Sequence, residues 1–330
     1  MSKKIVVLGN GQEWCECALT DLENSGEGKV INTVLPYNTR SLLYKFALLH
    51  FSKKINDIVN LPFKNKWFPL FADYICDDES SELLILIYDW NKFANNKDFL
   101  YYLRCKFRNC KLVYVFTNIV NISGANRNNF LNRLHEYYDL INTYDFADAK
   151  KYGFNYLPNM YSKIIKSKGS YNNIIFFVGE AKDRLDFIHK VYNRIHELGY
   201  STEFYVVNVS ENATIYSEGI VYNKRISYYE VINHVNNSGC ILDIIQGESE
   251  GFTLKVCEAI YYNKLLITTN SRIKELPFYD ERFMIYIEKP EDICADTFRH
   301  IGKCQYSEEA IKYFSVKNYI EKTLKELSYE

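Results

Sequence analysis

The sequence lacks any marked excess of one charge: 40 Lys and Arg stand against 41 Asp and Glu, a formal net charge of −1. Nothing in the overall charge therefore points to nucleic acid as a partner. The sequence also lacks a long apolar run. No stretch approaches the roughly 18 consecutive apolar residues of a membrane span, and the apolar part of MSKKIVVLGNG is too short for a secretion signal. The expected location is the cytoplasm, either free or at the inner face of the membrane. Nine cysteines are scattered through the chain with no zinc-ligand spacing, so free thiols in a reducing compartment are expected. A complete dinucleotide fingerprint is missing as well. Gly9-Asn10-Gly11 supplies two glycines, but the third position is Trp14, and no acid stands at the tip of the next strand.

The chain does carry a 47% hydrophobic and 25% charged composition over 330 residues, which suits a globular protein of two domains of roughly 150 residues each. Aromatic residues are abundant, at 29 tyrosines and 21 phenylalanines. Lys, Asn and Ile are also common, which a nucleotide-biased genome would explain. Lys4–Leu8, Glu82–Tyr88 and Lys111–Thr117 are continuous apolar runs separated by helical patterns over 12–25, 97–108 and 130–140. That alternation predicts an open parallel α/β sheet. A polar loop is expected over 121–129 and a linker over 159–172. A second series then begins: strands at 173–178, 202–207, 220–222, 240–245, 265–269 and 284–287, a helix at 185–198, and a capping box from Ser227 to Glu230. A helix over 307–328 ends the chain.

Residues 246–270, QGESEGFTLKVCEAIYYNKLLITTN, organise the rest. A polar turn from Gly247 to Gly251 leads to a helix expected from about 252 to 262 and then a buried strand. Glu250 and Glu258 bracket the helix start, and the free amides of its first turn are open to an anion. An amphipathic surface helix with two solvated acids fits the same spacing. After strand 173–178 come Gly179-Glu180-Ala181-Lys182-Asp183-Arg184. Gly179 allows a ligand close to the backbone, while Lys182 and Arg184 could neutralise a diphosphate. Two cations before a helix start run against the helix dipole. A solvated helix N-terminus is the alternative.

The stretch EGFTLKVCEAIYYNKLLITTN resembles the donor-binding signature of retaining GT-B glycosyltransferases, and VGEAKDR resembles their glycine-plus-basic diphosphate site. The likeness covers about 173–290 in motif and 1–172 in layout, and is similar to bacterial capsule and lipopolysaccharide glycosyltransferases. It implies an α/β GT-B fold of two Rossmann-like domains facing each other across a cleft: an acceptor domain over 1–163, a donor domain over 164–310, and a C-terminal helix over 311–330 that returns to the first domain. It implies a nucleotide-diphosphate sugar donor, UDP-sugar favoured, and a glycan or lipid-linked acceptor, with hexosyl transfer and retention of anomeric configuration. In this reading Glu258 binds the ribose hydroxyls and Glu250 faces the transferred sugar. Gly251, Phe252, Thr253 and Leu254 bring amides to the diphosphate. Lys182 and Arg184 offset the leaving charge, and Ile226 lies beside the base. No cofactor and no metal are implied, and the chain has no D-x-D triplet, the metal-holding motif of the other main glycosyltransferase fold. Asn263 replaces the family's helix-ending glycine. Thr117 and Asn118 stand where a histidine is common, which leaves the acceptor side unassigned. A GT-B nucleotide-sugar epimerase, an NAD-linked oxidoreductase and a non-catalytic partner subunit remain as alternatives.

Residues 40–66 differ in character from the rest. Arg40, Lys45, Lys53, Lys54, Lys64 and Lys66 face one acid, Asp57, and are interleaved with Phe46, Leu48, Leu49, Phe51 and Phe63; Trp67, Phe68 and Phe71 follow. The mixture suits an anionic membrane surface, contacted through 40–71. A helix with an apolar core face and a solvated basic face is the plainer alternative.

Overall fold

The computed structural model describes residues 4–32, 42–52, 55, 58–59, 61–76, 78, 82–107, 109–120, 126–167, 169, 172–215, 217–247 and 249–328. Arg40, Lys53, Lys54 and Asp57 of the basic segment lie outside the described residues, as does 121–125 of the expected polar loop. The chain divides into two units, Met1–Tyr144 with Asp148–Leu157 and Lys322–Glu330, and Asp145–Ala147 with Pro158–Glu321.

The N-terminal unit is built on a parallel sheet. Its strands are β1 (Lys4–Leu8), β2 (Gly28–Ile31), β3 (Leu83–Tyr88), β4 (Lys111–Phe116), β5 (Leu140–Thr143) and β6 (Asn155–Tyr156), in the order β2-β1-β3-β4-β5-β6. Every residue of β3 is buried, as expected where helices cover both faces of a parallel sheet. The helices are α1 (Glu13–Ala18), α2 (Thr20–Asn24), α3 (Leu42–His50), α4 (Phe68–Ile75), α5 (Lys97–Lys106), α6 (Asn126–Tyr137) and α7 (Phe146–Tyr152). The single helix expected over 12–25 is broken at Leu19, whose φ of −109° and ψ of 9° leave the helical region. The Thr20 hydroxyl donates to the Cys17 carbonyl there, an example of a short polar side chain competing with the helix ladder. A knot of rings, including Phe93 against Phe99 with centroids 4.2 Å apart, fills the space between sheet and helices.

The C-terminal unit repeats the plan. Its strands are β7 (Ile174–Glu180), β8 (Ser201–Val207), β9 (Ile220–Tyr222), β10 (Cys240–Asp243), β11 (Leu265–Thr268) and β12 (Met284–Tyr286), all parallel, in the order β12-β11-β10-β7-β8-β9. Helices α8 (Leu185–Glu197), α9 (Tyr228–Asn237), α10 (Leu254–Tyr261) and α11 (Glu308–Tyr313) follow in chain order, and α12 (Val316–Leu327) is divided between the units, its residues from Lys322 on being counted with the N-terminal unit. Gly199 ends α8 with φ of +78°, and Ser227 and Glu230 form the expected reciprocal cap on α9. Asn263 takes φ of +53° after α10, the left-handed geometry in which Asn is the usual substitute for Gly. The helix expected over 307–328 is two helices. The carbonyl of Phe314 is taken by the amide of Tyr161 instead of continuing the ladder. Tyr161 lies in the segment read from sequence as a linker, yet it is fully buried, with Met160 and Ser162 buried beside it.

Strand order creates a switch point in each sheet. The chain leaves β1 toward β2 and returns to β3 on the other side; it leaves β7 toward β8 and β9 and returns to β10 on the other side. Connections diverge at such a point and leave a crevice at the carboxyl ends of the two strands. All nine cysteines are free, and among the described residues no helix is long and apolar enough to cross a membrane.

Candidate functional site

The switch point of the C-terminal unit lies between the ends of β7 and β10, and both sequence motifs fall there. The β7 loop and the β10 loop are tied together by two cations. Lys182 Nζ donates to Gln246 Oε1 and lies 3.8 Å from Glu180. Arg184 donates to the carbonyls of Ile244 and Glu180. A side chain at Gly179 would meet the Arg184 guanidinium at 3.3 Å, so glycine lets the arginine cross the turn. Burial lowers the Arg184 pKa, opposed first by the attraction of Asp243. Lys182 has φ of +45°, an uncommon backbone for a long side chain.

Asp243, at the end of β10, is buried. Its two oxygens accept from the hydroxyls of Thr253 at 3.0 Å and Thr268 at 3.2 Å. Thr253 in turn caps α10 by accepting from the Lys255 amide. The helix therefore starts two residues later than its sequence pattern suggests, with Thr253 as the cap and Leu254 as the first helical residue.

Glu258 sits on α10 with 2% exposure. One carboxylate oxygen accepts from the Tyr228 hydroxyl at 2.8 Å. The other, Oε2, is buried with no hydrogen-bond partner. Burial raises the Glu258 pKa, and the charges of Lys255 and the Tyr228 hydrogen bond pull it back. A buried acceptor left unpaired is costly, and a donor from a bound molecule would remove that cost. Tyr228 follows Ser227, so the capping box that starts α9 also delivers its hydroxyl to Glu258. Ile226, half-buried, precedes the same cap.

Glu250 is held differently. Its carboxylate lies 3.5 Å from Arg272 Nη1, and Arg272 stacks on Phe146 at 3.7 Å. The loop carrying Glu250 is pinned by Asp145. One Asp145 oxygen accepts from the amides of Glu250 at 2.8 Å and Gly251 at 3.0 Å, and from the Ser249 hydroxyl at 3.0 Å. Phe252 is buried, and its carbonyl accepts from Asn159.

The structure thus joins Gly179, Lys182 and Arg184 to the start of the β10 loop. It links Arg184, Asp243 and Glu258 electrostatically, and sets Thr253 and Leu254 at the helix start. No hydrogen bond or ion pair brings Glu250 to Lys182, Arg184 or Glu258 among the described residues. Asp145, Asp243, Arg272 and the hydroxyl of Tyr228 escaped the sequence reading. Asp243 had a usable signal, an acid ending the apolar run CILD. Asp145 had none, since its contacts lie more than a hundred residues away. No group of three or more His, Cys, Asp or Glu is placed to hold a metal ion among the described residues. An open groove of about 1200 Å³ runs along α5, lined by Phe63, Lys97, Tyr101 and Arg104 among others. Its walls come from helices and from loop residues such as Leu61, Phe63 and Asn95.

Comparison with solved structures bears on the fold. An alpha-glucosyltransferase in complex with UDP and a 13-mer DNA containing a HMU base matches over 99% of both chains, with a TM-score of 0.54 and 12% identity. The fold is GT-B. A trehalose-6-phosphate synthase, solved in a study of glycosyltransfer with retention, matches over 100% of this chain and 99% of its own, with a TM-score of 0.51 and 11% identity. A match to TarM, with a TM-score of 0.49 and 11% identity, covers 79% of this chain and spans 58% of TarM. No protein-family model and no curated protein sequence matches the chain.

Proposed function

We propose that this GT-B chain is a glycosyltransferase that moves a hexose from a nucleotide-diphosphate sugar, UDP-sugar favoured, to a glycan acceptor with retention of configuration. The observation that carries the reading is Glu258: a buried carboxylate beside the switch point, with one oxygen unpaired, on the helix that follows β10. Two ribose hydroxyls would supply the donors it lacks. Lys182 and Arg184 then hold the diphosphate and offset the charge of the leaving group, and no cofactor or metal is assigned to the reaction. Glu250, oriented by Arg272 and Asp145, faces the hydroxyls of the transferred sugar. Gly251, Phe252 and Leu254 line the diphosphate, and Ile226 lies beside the base. The C-terminal unit takes the donor and the N-terminal unit the acceptor. In front-face transfer the acceptor oxygen bonds to the anomeric carbon as the phosphate oxygen leaves, and that oxygen receives the acceptor's proton.

The acceptor we assign is a capsule or lipopolysaccharide glycan, an assignment resting on the likeness of 173–290 to such enzymes. The solved glucosyltransferase holds DNA, but the net charge of −1 here favours a glycan. Contact with the inner face of a membrane is part of the proposal. Leu42, Leu43, Phe46 and Leu49 of α3 are 69%, 54%, 56% and 44% exposed, and Phe63 is 65% exposed. Lys45 and Lys66 are exposed among them. Apolar side chains rimmed by lysine suit an anionic lipid surface.

The test is a thermal-shift screen of UDP-, GDP-, CMP- and dTDP-sugars and NAD on wild type and Glu258→Ala. Stabilisation by one nucleotide-sugar class, lost in the variant, supports the reading. A shift with NAD alone contradicts it. Release of free sugar or UDP in the absence of any acceptor requirement would favour the epimerase instead.

A further inference from the structure

Lys182 and Arg184, the cations that the sequence assigns to a diphosphate, are both engaged by the protein itself. Lys182 donates to Gln246 and lies beside Glu180, and the Arg184 guanidinium donates to the carbonyls of Ile244 and Glu180. Lys255, in the first turn of α10, is not engaged in this way. That turn contains no acid. The Lys255 backbone amide is taken by the Thr253 cap, but among the described residues its ammonium makes no hydrogen bond and no ion pair. The ammonium lies 5.9 Å from the centre of the Phe177 ring, at the outer limit of attraction between a cation and a ring face.

Two relationships fix what Lys255 neighbours. Phe177 belongs to β7, and a side chain at Gly179 would meet the tip of its ring at 3.3 Å, so Lys255 and the Gly179 backbone border one ring. On α10, Lys255 precedes Glu258 by three residues, the spacing that puts two side chains on one helix face. Burial raises the Glu258 pKa, and the charge of Lys255 is the foremost influence pulling it back. Lys255 therefore adjoins both the Gly179 turn and the carboxylate whose Oε2 is buried and unpaired. Its place is an unfavourable one for a cation. It is half-buried, and the helix dipole is positive at that end. An anion bound there relieves both costs.

We propose that Lys255 binds the donor phosphate that is bonded to the ribose. The inference rests on the reading of Glu258 as the ribose contact. A phosphate esterified to that ribose is the anion nearest to Glu258, and Lys255 stands on the same face of α10, nearer the helix N-terminus that favours negative charge. A lysine ammonium is a compact point charge with three donors on a flexible stem, and it meets a phosphate without a fixed fork geometry. Lys182 and Arg184, tied to the loops after β7 and β10, are left to the second phosphate. The consequence is specific: affinity for a nucleoside monophosphate, and not only for a diphosphate, depends on Lys255.

The experiment titrates uridine, UMP, UDP and inorganic pyrophosphate into the full chain and into Lys255→Met by calorimetry, and compares the melting temperatures of the two proteins without ligand. Methionine keeps an apolar stem beside Phe177 and removes the charge. Lys255→Met is expected to weaken UMP and UDP by the same factor, about tenfold or more for the loss of one charge-assisted hydrogen bond. Uridine binding is unchanged, and the variant melts at or above wild type because a cation has left a helix N-terminus. The proposal is overturned if wild type and variant bind UMP alike, whether or not UDP is weakened, and the donor reading then stands. It is equally overturned if the variant melts well below wild type, which would give the side chain a packing role. Pyrophosphate that binds wild type and is lost in the variant, with no binding of uridine, UMP or UDP, keeps Lys255 as a phosphate contact and ends the nucleotide reading. Binding of none of the four ends both.

Discussion

Tyr228 and Glu258, 30 residues apart in the chain, meet through one hydrogen bond of 2.8 Å, and the second Glu258 oxygen is left buried and unpaired. The carboxylate is therefore half-satisfied by the protein and half-available to a ligand. Burial holds its pKa above the ordinary 4.5. The folded state thus binds the proton more tightly than the unfolded chain. Below the unfolded pKa there is no penalty; stability falls as pH rises from the unfolded to the folded pKa, and the loss persists above it. Glu258→Gln should accordingly gain stability relative to wild type as pH rises above about 4.5, in urea melts at a series of pH values. A variant that loses stability equally at every pH would show the charge to be unimportant.

Asp89, buried just after β3, should show the same sign. A rise from 3.8 to about 6 corresponds to about 3 kcal/mol of penalty above pH 6. Asp89→Asn removes it, so the stability gap between variant and wild type should be widest at pH 7 and close toward pH 4. Chemical denaturation at the two pH values measures it. The nearby Tyr114, itself pushed up by burial, does not titrate in the window.

Asp145 accepts from three donors of one loop. Asp145→Ala strands the Glu250 and Gly251 amides and the Ser249 hydroxyl, and should cost about 3 kcal/mol. Asp145→Asn retains an accepting oxygen and should recover part of this. Sugar turnover should fall in Asp145→Ala more than nucleotide binding does, because Glu250 loses its frame while Glu258 keeps its own. Equal loss of both would place Asp145 in general folding only.

The exposed face of α3 yields a vesicle experiment. Reversing charge at Lys45 and Lys66 together should weaken flotation with anionic vesicles at least tenfold, at about 1 kcal/mol per basic residue near the surface, with no effect on neutral vesicles. Phe46→Ser should weaken both. Unchanged flotation would leave α3 as a helix of the N-terminal unit and nothing more.

Much of the fold was legible because buried parallel strands are written as uninterrupted apolar runs. Leu83–Tyr88 and Cys240–Asp243 could hardly be anything else. Asn263 and the Ser227–Glu230 cap were readable because their chemistry is local. The breaks at Leu19 and Phe314 were not, since each depends on a carbonyl that a helix pattern counts as already used. The site divides along the same line. Glu258, Glu250, Lys182 and Arg184 stood out by spacing beside predicted strand ends. Asp145 and Arg272, which position Glu250, are joined to it by contacts no sequence window spans.

The central claim, a nucleotide site at the switch point of the C-terminal unit, is tested most directly by calorimetric titration of UDP into wild type, Glu258→Gln and the double variant Lys182→Ala/Arg184→Ala. UDP should bind the wild type with a stoichiometry of one, at least tenfold more weakly to Glu258→Gln, and to the double variant more weakly still, while uridine alone discriminates only the first. If wild type does not bind UDP, or if all three proteins bind it alike, the donor site is not where this account places it.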